Sequence, residues 1–363
     1  MKLLIRPEIE EVTPYDVKDL LEIKSMKNIV KLDLNENLLV SNKEVKKIIE
    51  KAIKKLDFRF YPKPYGKEAA EAIAEFYNLK EEKIFVANGS DDLIDKLSKA
   101  FIPNGSNVII NEPTFTMYSF FTRLYGGEKR EALLKQNFQL DVNGILNKCD
   151  SKTSMIIICS PNNPTGNQFN IEDIKKILKN FDGLVVVDEA YADFGEYSTI
   201  NLVEKYENLV VLRSFSKSFG LASIRAGFAV ADEKVVNYLM RVSGPFLVNS
   251  ITQKVIKIAL ENWGLFKREI DCVIKERERL FSELKKMDGV TPFPSKANFI
   301  LFKVDKNDLS TEFICNNLKH LGVYIKDRSK EPLLEKCLRV TVGTRKMNAK
   351  FISELKKILR EDS

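Results

Sequence analysis

Short apolar runs alternate with amphipathic segments through the middle of the chain. The runs KIFVA, NVII, SMIIIC, LVVVD, LVVLRS and AGFAV are nearly all apolar, which is typical of strands that are buried on both faces of a sheet. The segments between them carry apolar side chains at helical spacing, and they predict helices over 91–102, near 115–124, over 171–180 and over 232–241. Strands and helices that alternate in this way predict a mostly parallel sheet with helices on both faces.

Two amphipathic segments precede this alternation. Residues 43–56 (KEVKKIIEKAIKKL) and the segment KEAAEAIAEFYNL both predict helices. The aromatic, proline-rich stretch RFYPKPYG, from Arg59 to Gly66, predicts an extended loop between them. Upstream of both, residues 1–35 form a lead-in that runs into a strand-like KLDLNENL.

The alternation stops near residue 248. A long helical region follows up to Met287, and the remaining pattern predicts a strand in ANFILFKV, a helix over 310–320, a strand in CLRVTVG and a helix over 346–360. This change predicts a second, smaller lobe of α+β structure. The predicted parts are an N-terminal segment that packs with the small domain (1–40), a large domain (41–245) and a small C-terminal α+β domain (246–363).

The composition limits what such a protein can do. With 363 residues, of which 44% are hydrophobic, the chain can bury a large core. Charged residues make up 30% of the chain, with a net charge of +7, and they are interspersed along helical segments as solvated faces. No basic block is interleaved with aromatic residues, so we expect no nucleic-acid partner. The modest basic excess suits anionic ligands.

We expect neither a membrane span nor a secretory signal, because no apolar run has the length and flanks of either. The five cysteines are far apart and show neither metal nor disulfide spacing, which favours a cytoplasmic protein without a metal site. The one histidine, His320, excludes a multi-histidine metal site. Its place near the end of a predicted helix also disfavours a serine–histidine triad.

One stretch, from Arg213 to Phe228, reads RSFSKSFGLASIRAGF and carries the strongest chemical signal. Lys217 is crowded there by two phenylalanines and small hydroxyls, and a buried lysine loses pKa and becomes an amine nucleophile. Ser214, Ser216 and Arg225 are the donors that a bound phosphate requires. A lysine for an aldehyde beside a phosphate cradle indicates pyridoxal phosphate. The alternative is an ordinary strand-to-helix loop with basic residues.

Two strand ends before this stretch also carry polar or aromatic residues. In VANGSDD, Gly89 allows a tight turn, and Ser90 and Asp91 open a helix whose first amides can bind phosphate. Plain N-capping is the alternative for that motif. In NEPTFTMYSFF, Phe115 or Tyr118 can stack on a flat heteroaromatic ring, although either can equally belong to the core.

Two further strand ends complete the set, because ligands of such sheets bind at the carboxyl ends of the strands. In CSPNNPTGN an asparagine amide can donate to a phenolate oxygen, although a turn alone explains the prolines and the glycine. In VVVDEAYADF, Asp188 closes an apolar strand, where a carboxylate is costly unless it is paired. It can keep a pyridine nitrogen protonated, with Tyr191 near the ring oxygen; a helix N-cap is the alternative for Asp188.

In this order the motifs resemble those of fold-type I pyridoxal-phosphate-dependent aminotransferases. The chain is most similar to histidinol-phosphate aminotransferases, nearly from end to end, through LDLNEN, VTPY, FYPKP and LRVTVGTR. The resemblance implies an α/β fold with a mostly parallel seven-stranded sheet, sandwiched by helices, and a smaller α+β domain. It implies pyridoxal 5'-phosphate as the cofactor and transfer of an amino group between small amino and keto acids. The implied reaction converts histidinol phosphate and 2-oxoglutarate to imidazole acetol phosphate and glutamate, in histidine biosynthesis.

The resemblance also implies a role for each site residue. Lys217 binds the cofactor aldehyde and acts as the catalytic base, Asp188 pairs with the ring nitrogen, and Tyr191 and Asn163 hold the ring oxygen. Phe115 stacks on the ring. The implied phosphate site consists of Gly89, Ser90, Asp91, Ser214, Ser216 and Arg225, together with Tyr61 of a neighbouring subunit in a homodimer with shared sites. The implied substrate contacts are Tyr15, Asn37, Tyr118, Arg339 and Arg345.

The sequence departs from the histidinol-phosphate pattern in three places. Leu38-Leu39-Val40 stands where proline and glycine are usual, Lys63 stands where an aspartate is usual, and Ala222-Ser223-Ile224 replaces alanine-glycine-leucine. Because these changes bear on substrate choice, threonine-phosphate decarboxylase and an aromatic or broad-range aminotransferase stay as alternatives. A non-catalytic pyridoxal-phosphate-binding or regulatory protein is disfavoured, since Lys217 is present.

Overall fold

The computed structural model describes residues 4–10, 12–13, 29–54, 56–306 and 309–359. Its strands are β1 (Val30–Lys31), β2 (Ile84–Ala87), β3 (Asn107–Glu112), β4 (Glu128–Leu133), β5 (Thr153–Cys159), β6 (Leu184–Asp188), β7 (Leu209–Ser214), β8 (Gly227–Val230), β9 (Val290–Pro292), β10 (Phe299–Val304), β11 (Val323–Tyr324), β12 (Lys326–Asp327) and β13 (Cys337–Thr341).

The α-helices account for most of the remaining chain. They are α1 (Pro7–Glu10), α2 (Asn42–Ile53), α3 (Lys67–Tyr77), α4 (Ser90–Phe101), α5 (Met117–Leu124), α6 (Val142–Asn147), α7 (Ile171–Asn180), α8 (Glu233–Arg241), α9 (Ser250–Glu261), α10 (Trp263–Lys285), α11 (Thr311–His320) and α12 (Arg345–Ile358). Short 3-10 turns occur at Pro64–Gly66, Glu81–Lys83, Ala192–Phe194, Ile200–Glu204 and Ala222–Ile224. None of the helices in the described ranges is long and apolar enough to cross a membrane.

A seven-stranded sheet with the order β2-β8-β7-β6-β5-β3-β4 forms the centre of the molecule. Its strands pair in parallel from β7 through β4, and β8 pairs antiparallel with both of its neighbours. The predicted mostly parallel seven-stranded sheet is therefore confirmed. Strand β8 runs against the others because residues 215–226, which join it to β7, contain a 3-10 turn but no crossover helix. We call residues 215–226 the lysine loop.

The predicted helices agree with the structure to within three residues at their ends. The pattern missed the short elements α1, β9, β11 and β12 as well as β4 and α6. Strand β4 reads EKREAL, and it lies at the edge of the sheet, where it pairs with β3 and leaves most of its side chains exposed or partly exposed. A charged edge strand protects a sheet from pairing with another chain, so it lacks the apolar pattern of a central strand. The long helical region after 248 is divided at Asn262 into α9 and α10.

The small lobe has its own apolar core beneath an antiparallel sheet with the order β12-β13-β10-β9. Helix α10 connects the two lobes, since Phe266 packs into the core of the large sheet and Leu280 into the core of the small lobe. The N-terminal segment also belongs to the small lobe, because β1 pairs in parallel with β11. Helix α9 packs against α2 and α3 of the large lobe. The domain limits at 40 and 245 stay a prediction.

Candidate functional site

A cavity of about 240 Å³ opens at the carboxyl ends of β5, β6 and β7, under the N-terminal segment and beside the small lobe. Parallel strands bring their carboxyl ends to one edge of the sheet, so residues far apart in the sequence meet there. The predicted site residues that line this cavity are Ser90, Asp91, Phe115, Tyr118, Asn163, Asp188, Tyr191, Ser214, Ser216, Lys217, Arg225 and Arg339.

The other predicted site residues lie elsewhere. Gly89 forms the turn behind the cavity wall, and Asn37 is buried with its amide donating to the Ser218 carbonyl at 3.0 Å. Tyr61 is 81% exposed, and Arg345 begins α12 on the surface. Tyr15 lies outside the described residues.

Lys217 extends from the lysine loop into the cavity. Its Nζ donates a hydrogen bond to the Leu34 carbonyl at 3.0 Å and lies 5.8 Å from the centre of the Tyr191 ring. Burial lowers the pKa of Lys217 to about 8, and the positive charge of Arg339 acts in the same direction. An amine with such a pKa has a substantial neutral fraction near physiological pH, which a nucleophile or base requires.

Asp188 ends β6 and lines the cavity, where it is 3% exposed. The Tyr118 hydroxyl donates to its Oδ2 at 2.7 Å, and the Ala190 amide donates to its Oδ1 at 3.0 Å. Burial raises the pKa of Asp188 to about 6, while these two hydrogen bonds oppose the rise. Tyr118 is fully buried and orients the Asp188 carboxylate through its hydrogen bond. The ring of Phe115 packs edge-on against the ring of Tyr118, with 5.6 Å between ring centres.

An anion cradle at the start of α4 lines the same cavity as Asp188. Helix α4 begins at Ser90, and no side chain caps its first amides, so these N–H groups are available to an anion. Gly89, at φ 94°, permits the approach of Arg225, since a Cβ on Gly89 would lie 2.6 Å from the guanidinium Nη2. Arg225 Nη1 donates to Ser216 Oγ at 3.4 Å, and the Ser216 amide donates to Ser214 Oγ at 3.2 Å.

Arg339 comes from β13 of the small lobe and is almost fully buried. It donates to Asn163 Oδ1 and to the Asp33 carbonyl, while its Nε has no hydrogen-bond partner among the described residues. Burial lowers the pKa of Arg339 to about 10, and the nearby charge of Arg328 adds to the effect. A buried guanidinium with an unbonded N–H and a like charge beside it would be stabilised by an anionic ligand.

Sequence reasoning missed several residues of the cavity wall, namely Asp33, Leu34, Asn35, Glu36, Lys326 and Arg328. The basic pair within YIKDRSK was a usable signal, because it directly precedes the strand that carries Arg339. Lys326 and Arg339 are opposite each other in the β12–β13 ladder, so their side chains share a face.

Residues 27–355 match the family described as "Aminotransferase class I and II". This match covers most of the chain. The chain belongs to the class I and II aminotransferases. The predicted aminotransferase and its fold-type I architecture are thereby confirmed.

Individual relatives of this aminotransferase agree with the resemblance drawn from its motifs. It is 36% identical over 357 residues to a histidinol-phosphate aminotransferase of Thermoanaerobacter pseudethanolicus, covering 98% of this chain and 99% of the relative. Its fold is similar to that of a histidinol-phosphate aminotransferase from Sinorhizobium meliloti in complex with pyridoxal-5'-phosphate, with a TM-score of 0.90 at 20% identity, over 99% of this chain and 98% of that one.

The fold alone does not select a reaction. An L-threonine-O-3-phosphate decarboxylase from Porphyromonas gingivalis superposes with a TM-score of 0.79 at 24% identity, over 91% of this aminotransferase and 99% of the decarboxylase. Both named reactions are therefore found on this architecture, and substrate choice depends on the side chains of the cavity.

Proposed function

We propose that this protein is a pyridoxal-5'-phosphate-dependent histidinol-phosphate aminotransferase. The observation that carries the proposal is the single cavity in which the Lys217 amine, the Asp188 carboxylate and the anion cradle at the start of α4 meet. Five free cysteines and the absence of a membrane-spanning helix in the described ranges are compatible with the cytoplasmic location expected from the sequence.

The residues present fit the proposed cofactor. The α4 amides, Ser214, Ser216 and Arg225 would hold its phosphate, and Asp188 would hold the ring nitrogen. Phe115 would contact the ring face, and Asn163 and Tyr191 would contact the ring oxygen. Asp188 is a buried carboxylate with no cationic partner among the described residues, and a protonated ring nitrogen would provide one.

Each side chain then has a defined task. When bound, pyridoxal phosphate supplies an aldehyde for the substrate amine and an electron-accepting ring. Lys217, in its neutral form, would take the proton from the substrate Cα and, once protonated, would be able to give it back, because its lowered pKa suits both acts. Asp188 would hold a proton on the ring nitrogen, and Tyr118 keeps the carboxylate in place. Arg339 and the N-terminal segment orient the substrate and exclude water.

The substrate end of the cavity favours a phosphorylated amine. Lys326, Arg328 and Arg339 converge there, and the Nε atoms of both arginines lack hydrogen-bond partners within the described part of the chain. Glu331 neutralises part of the Arg328 charge, since the two side chains approach to 2.6 Å, yet the cluster keeps a positive excess. A phosphate with two charges and several acceptors matches this cluster better than an aromatic side chain does.

A spectroscopic experiment tests the function. The purified protein is saturated with pyridoxal phosphate and then mixed with L-histidinol phosphate, without any keto acid. We expect a yellow absorption band that bleaches within one turnover and returns when 2-oxoglutarate is added. Release of carbon dioxide from L-threonine phosphate would instead identify the protein as a decarboxylase. Bleaching by phenylalanine alone would favour an aromatic aminotransferase. A protein that never turns yellow would refute the cofactor assignment.

A substitution at Arg339 tests the proposed substrate contact. We expect Arg339→Gln to lower kcat/KM for histidinol phosphate by about 10- to 100-fold, since a hydrogen bond to a charged group contributes about 1.5–3 kcal/mol. The exposed Arg241, which bonds to Asn237 on the surface of α8, supplies the matched control Arg241→Gln, for which kcat/KM should stay unchanged. Equal values for both variants would place the substrate anion elsewhere.

We also propose that the protein works as a homodimer whose subunits share their sites. Phe58, Phe60 and Tyr61 are 65%, 71% and 81% exposed, and Tyr61 stacks on the partly exposed Phe246 with 4.6 Å between ring centres. An exposed aromatic cluster of this kind marks a protein interface. Tyr61 does not line the cavity of its own chain, as expected of a residue that serves the partner's site.

Light scattering after size-exclusion chromatography should give twice the mass of one chain. We expect Tyr61→Phe to remain dimeric but to bind pyridoxal phosphate about tenfold more weakly, because one hydrogen bond to the phosphate is lost. Phe60→Asp should instead shift the protein towards monomers, since the substitution places a charge in an apolar interface. A wild-type protein that elutes as a monomer at micromolar concentration would exclude the shared site.

A further inference from the structure

Asn35 is a buried residue of the N-terminal segment to which the motifs assigned no role. It lies four residues beyond β1, is 1% exposed and lines the cavity. Its backbone adopts the left-handed conformation, with φ 56°, which asparagine tolerates better than most residues. Its side chain is therefore directed by the backbone and faces the site, whereas Asn37, two residues later, faces the lysine loop.

Three hydrogen bonds from the small lobe hold Asn35 in one orientation. Its backbone amide donates to Thr341 Oγ1 at 3.0 Å, and the same hydroxyl donates to Asn35 Oδ1 at 3.2 Å. Asn298 Nδ2 donates to the Asn35 carbonyl at 2.9 Å. Because the amide oxygen is engaged by Thr341, the amide NH₂ group must point the other way.

That NH₂ group meets the hydroxyl of Tyr191. Asn35 Nδ2 donates to the Tyr191 oxygen at 3.0 Å, and within the described part of the chain this is the one hydrogen bond that the hydroxyl makes. A phenol has a single proton and accepts through its oxygen lone pairs. Since Asn35 cannot accept the Tyr191 proton through its NH₂ group, that proton stays free for a group in the cavity.

The surroundings of Tyr191 keep it a neutral donor. Burial raises the pKa of its hydroxyl well above the ordinary value, and the positive charge of Arg339 opposes the rise only in part. The titratable groups around it are Arg339, Asp188, Cys159 and, against the ring face, Lys217. The opposite side of the ring region is apolar, with Phe299 packed edge-on at 5.2 Å between ring centres.

We propose that Asn35 is a positioning residue that directs the Tyr191 proton onto the ring oxygen of the cofactor. The inference rests on the proposed function, because it requires pyridoxal phosphate to be bound through Lys217. A hydrogen-bond donor to that oxygen stabilises its ionised form. The donor therefore lowers the pKa of the proton that the oxygen would share with the nitrogen of the Lys217–cofactor linkage. Asn35 therefore sets the pH at which the linkage titrates, and the small lobe acts on this pH through Thr341 and Asn298.

The decisive measurement is the pH titration of the visible absorbance of the cofactor bound to Lys217. Asn35→Gly suits the left-handed backbone and removes the donor, so the midpoint should rise by about one pH unit. Asn35→Asp replaces the donor by an acceptor, which would draw the Tyr191 proton away from the cavity. Its midpoint should rise at least as far.

Asn208 supplies a matched control. Its amide donates to the carbonyls of Leu178, Phe181 and Gly183 at the opposite end of the sheet from the cavity. Asn208→Ala should lower the melting temperature and leave the midpoint unchanged. Asn35 variants that lower the melting temperature without moving the midpoint would overturn the proposal, since a purely structural role has that outcome.

A double-mutant cycle guards against indirect effects of the substitution. In a Tyr191→Phe background the mediating hydroxyl is gone, so Asn35→Gly should produce no further shift of the midpoint. Additive shifts would overturn the proposed route through Tyr191. A second readout is the affinity of the apoprotein for pyridoxal phosphate, which should fall less than tenfold in Asn35→Gly. A wild-type protein that forms no coloured linkage would instead refute the proposed function itself, an outcome distinct from an unshifted midpoint.

Discussion

Lys217→Ala is expected to lose at least about a thousandfold in turnover, the largest effect of any single change in this protein. The substitution removes the amine that both binds the cofactor aldehyde and carries the substrate proton, and general base catalysis alone contributes about 100- to 10,000-fold. The measurement is kcat for histidinol phosphate with 2-oxoglutarate. Normal turnover in this variant would refute the assignment of Lys217.

Two controls separate chemistry from folding. Lys83 is also a buried lysine, paired with Glu204 at 3.0 Å and remote from the cavity, so Lys83→Ala should lose stability and keep its kcat. The substitution Lys217→Ala changes no residue of the anion cradle at the start of α4. This variant should therefore still bind pyridoxal phosphate, and it should bind pyridoxal, which lacks the phosphate, far more weakly.

Asp188→Asn is expected to lower turnover by about two to three orders of magnitude and to weaken cofactor binding. Removing one partner of a buried ion pair costs about 3–5 kcal/mol, and each 1.4 kcal/mol is about tenfold. The amide cannot keep the ring nitrogen protonated. Unchanged turnover would show that Asp188 only caps the end of β6.

In the apoprotein the same substitution should have a favourable effect, namely an increase in the stability of the fold. Burial raises the folded-state pKa of Asp188 to about 6 from an ordinary value of 3.8, so the folded state holds a proton that the unfolded state releases. The contribution of this group to the free energy of unfolding therefore falls as pH rises from 3.8 to 6, by about 1 kcal/mol between pH 5 and 6. In urea unfolding of the apoproteins, the free energy of unfolding of Asp188→Asn should rise relative to that of wild type over this interval. The difference should persist above pH 7.

The sequence could predict the cofactor end of the site because its residues stand at the ends of apolar runs. Asp188 closes the strand LVVVD, and Lys217 follows LVVLRS, so each is a polar residue placed where a buried strand stops. In a parallel sheet such positions meet at one edge, whatever their separation along the chain. The structure brings both into one cavity.

Other features could not be read from local pattern. Strand β4 is a charged edge strand, and its pairing with β3 is specified by backbone hydrogen bonds and not by apolar side chains. The direction of β8 depends on whether the lysine loop crosses the sheet or turns back. The cationic cluster of the substrate end depends on the register that places Lys326 opposite Arg339.

The triplet Asn35-Glu36-Asn37 shows most clearly which features the sequence determines and which the tertiary structure decides. The sequence marks both asparagines as polar residues in a strand-like segment, and the family resemblance implies a substrate contact for Asn37 and no role for Asn35. The left-handed backbone at Asn35 and its bonds to Asn298 and Thr341 turn that side chain to Tyr191, while Asn37 bonds to Ser218. By itself the sequence determined the alternating α/β pattern, the lysine and the strand-end carboxylate, because hydrophobic periodicity is local. The tertiary structure decided which polar side chains face the cavity, because that choice depends on contacts with residues up to 306 positions away.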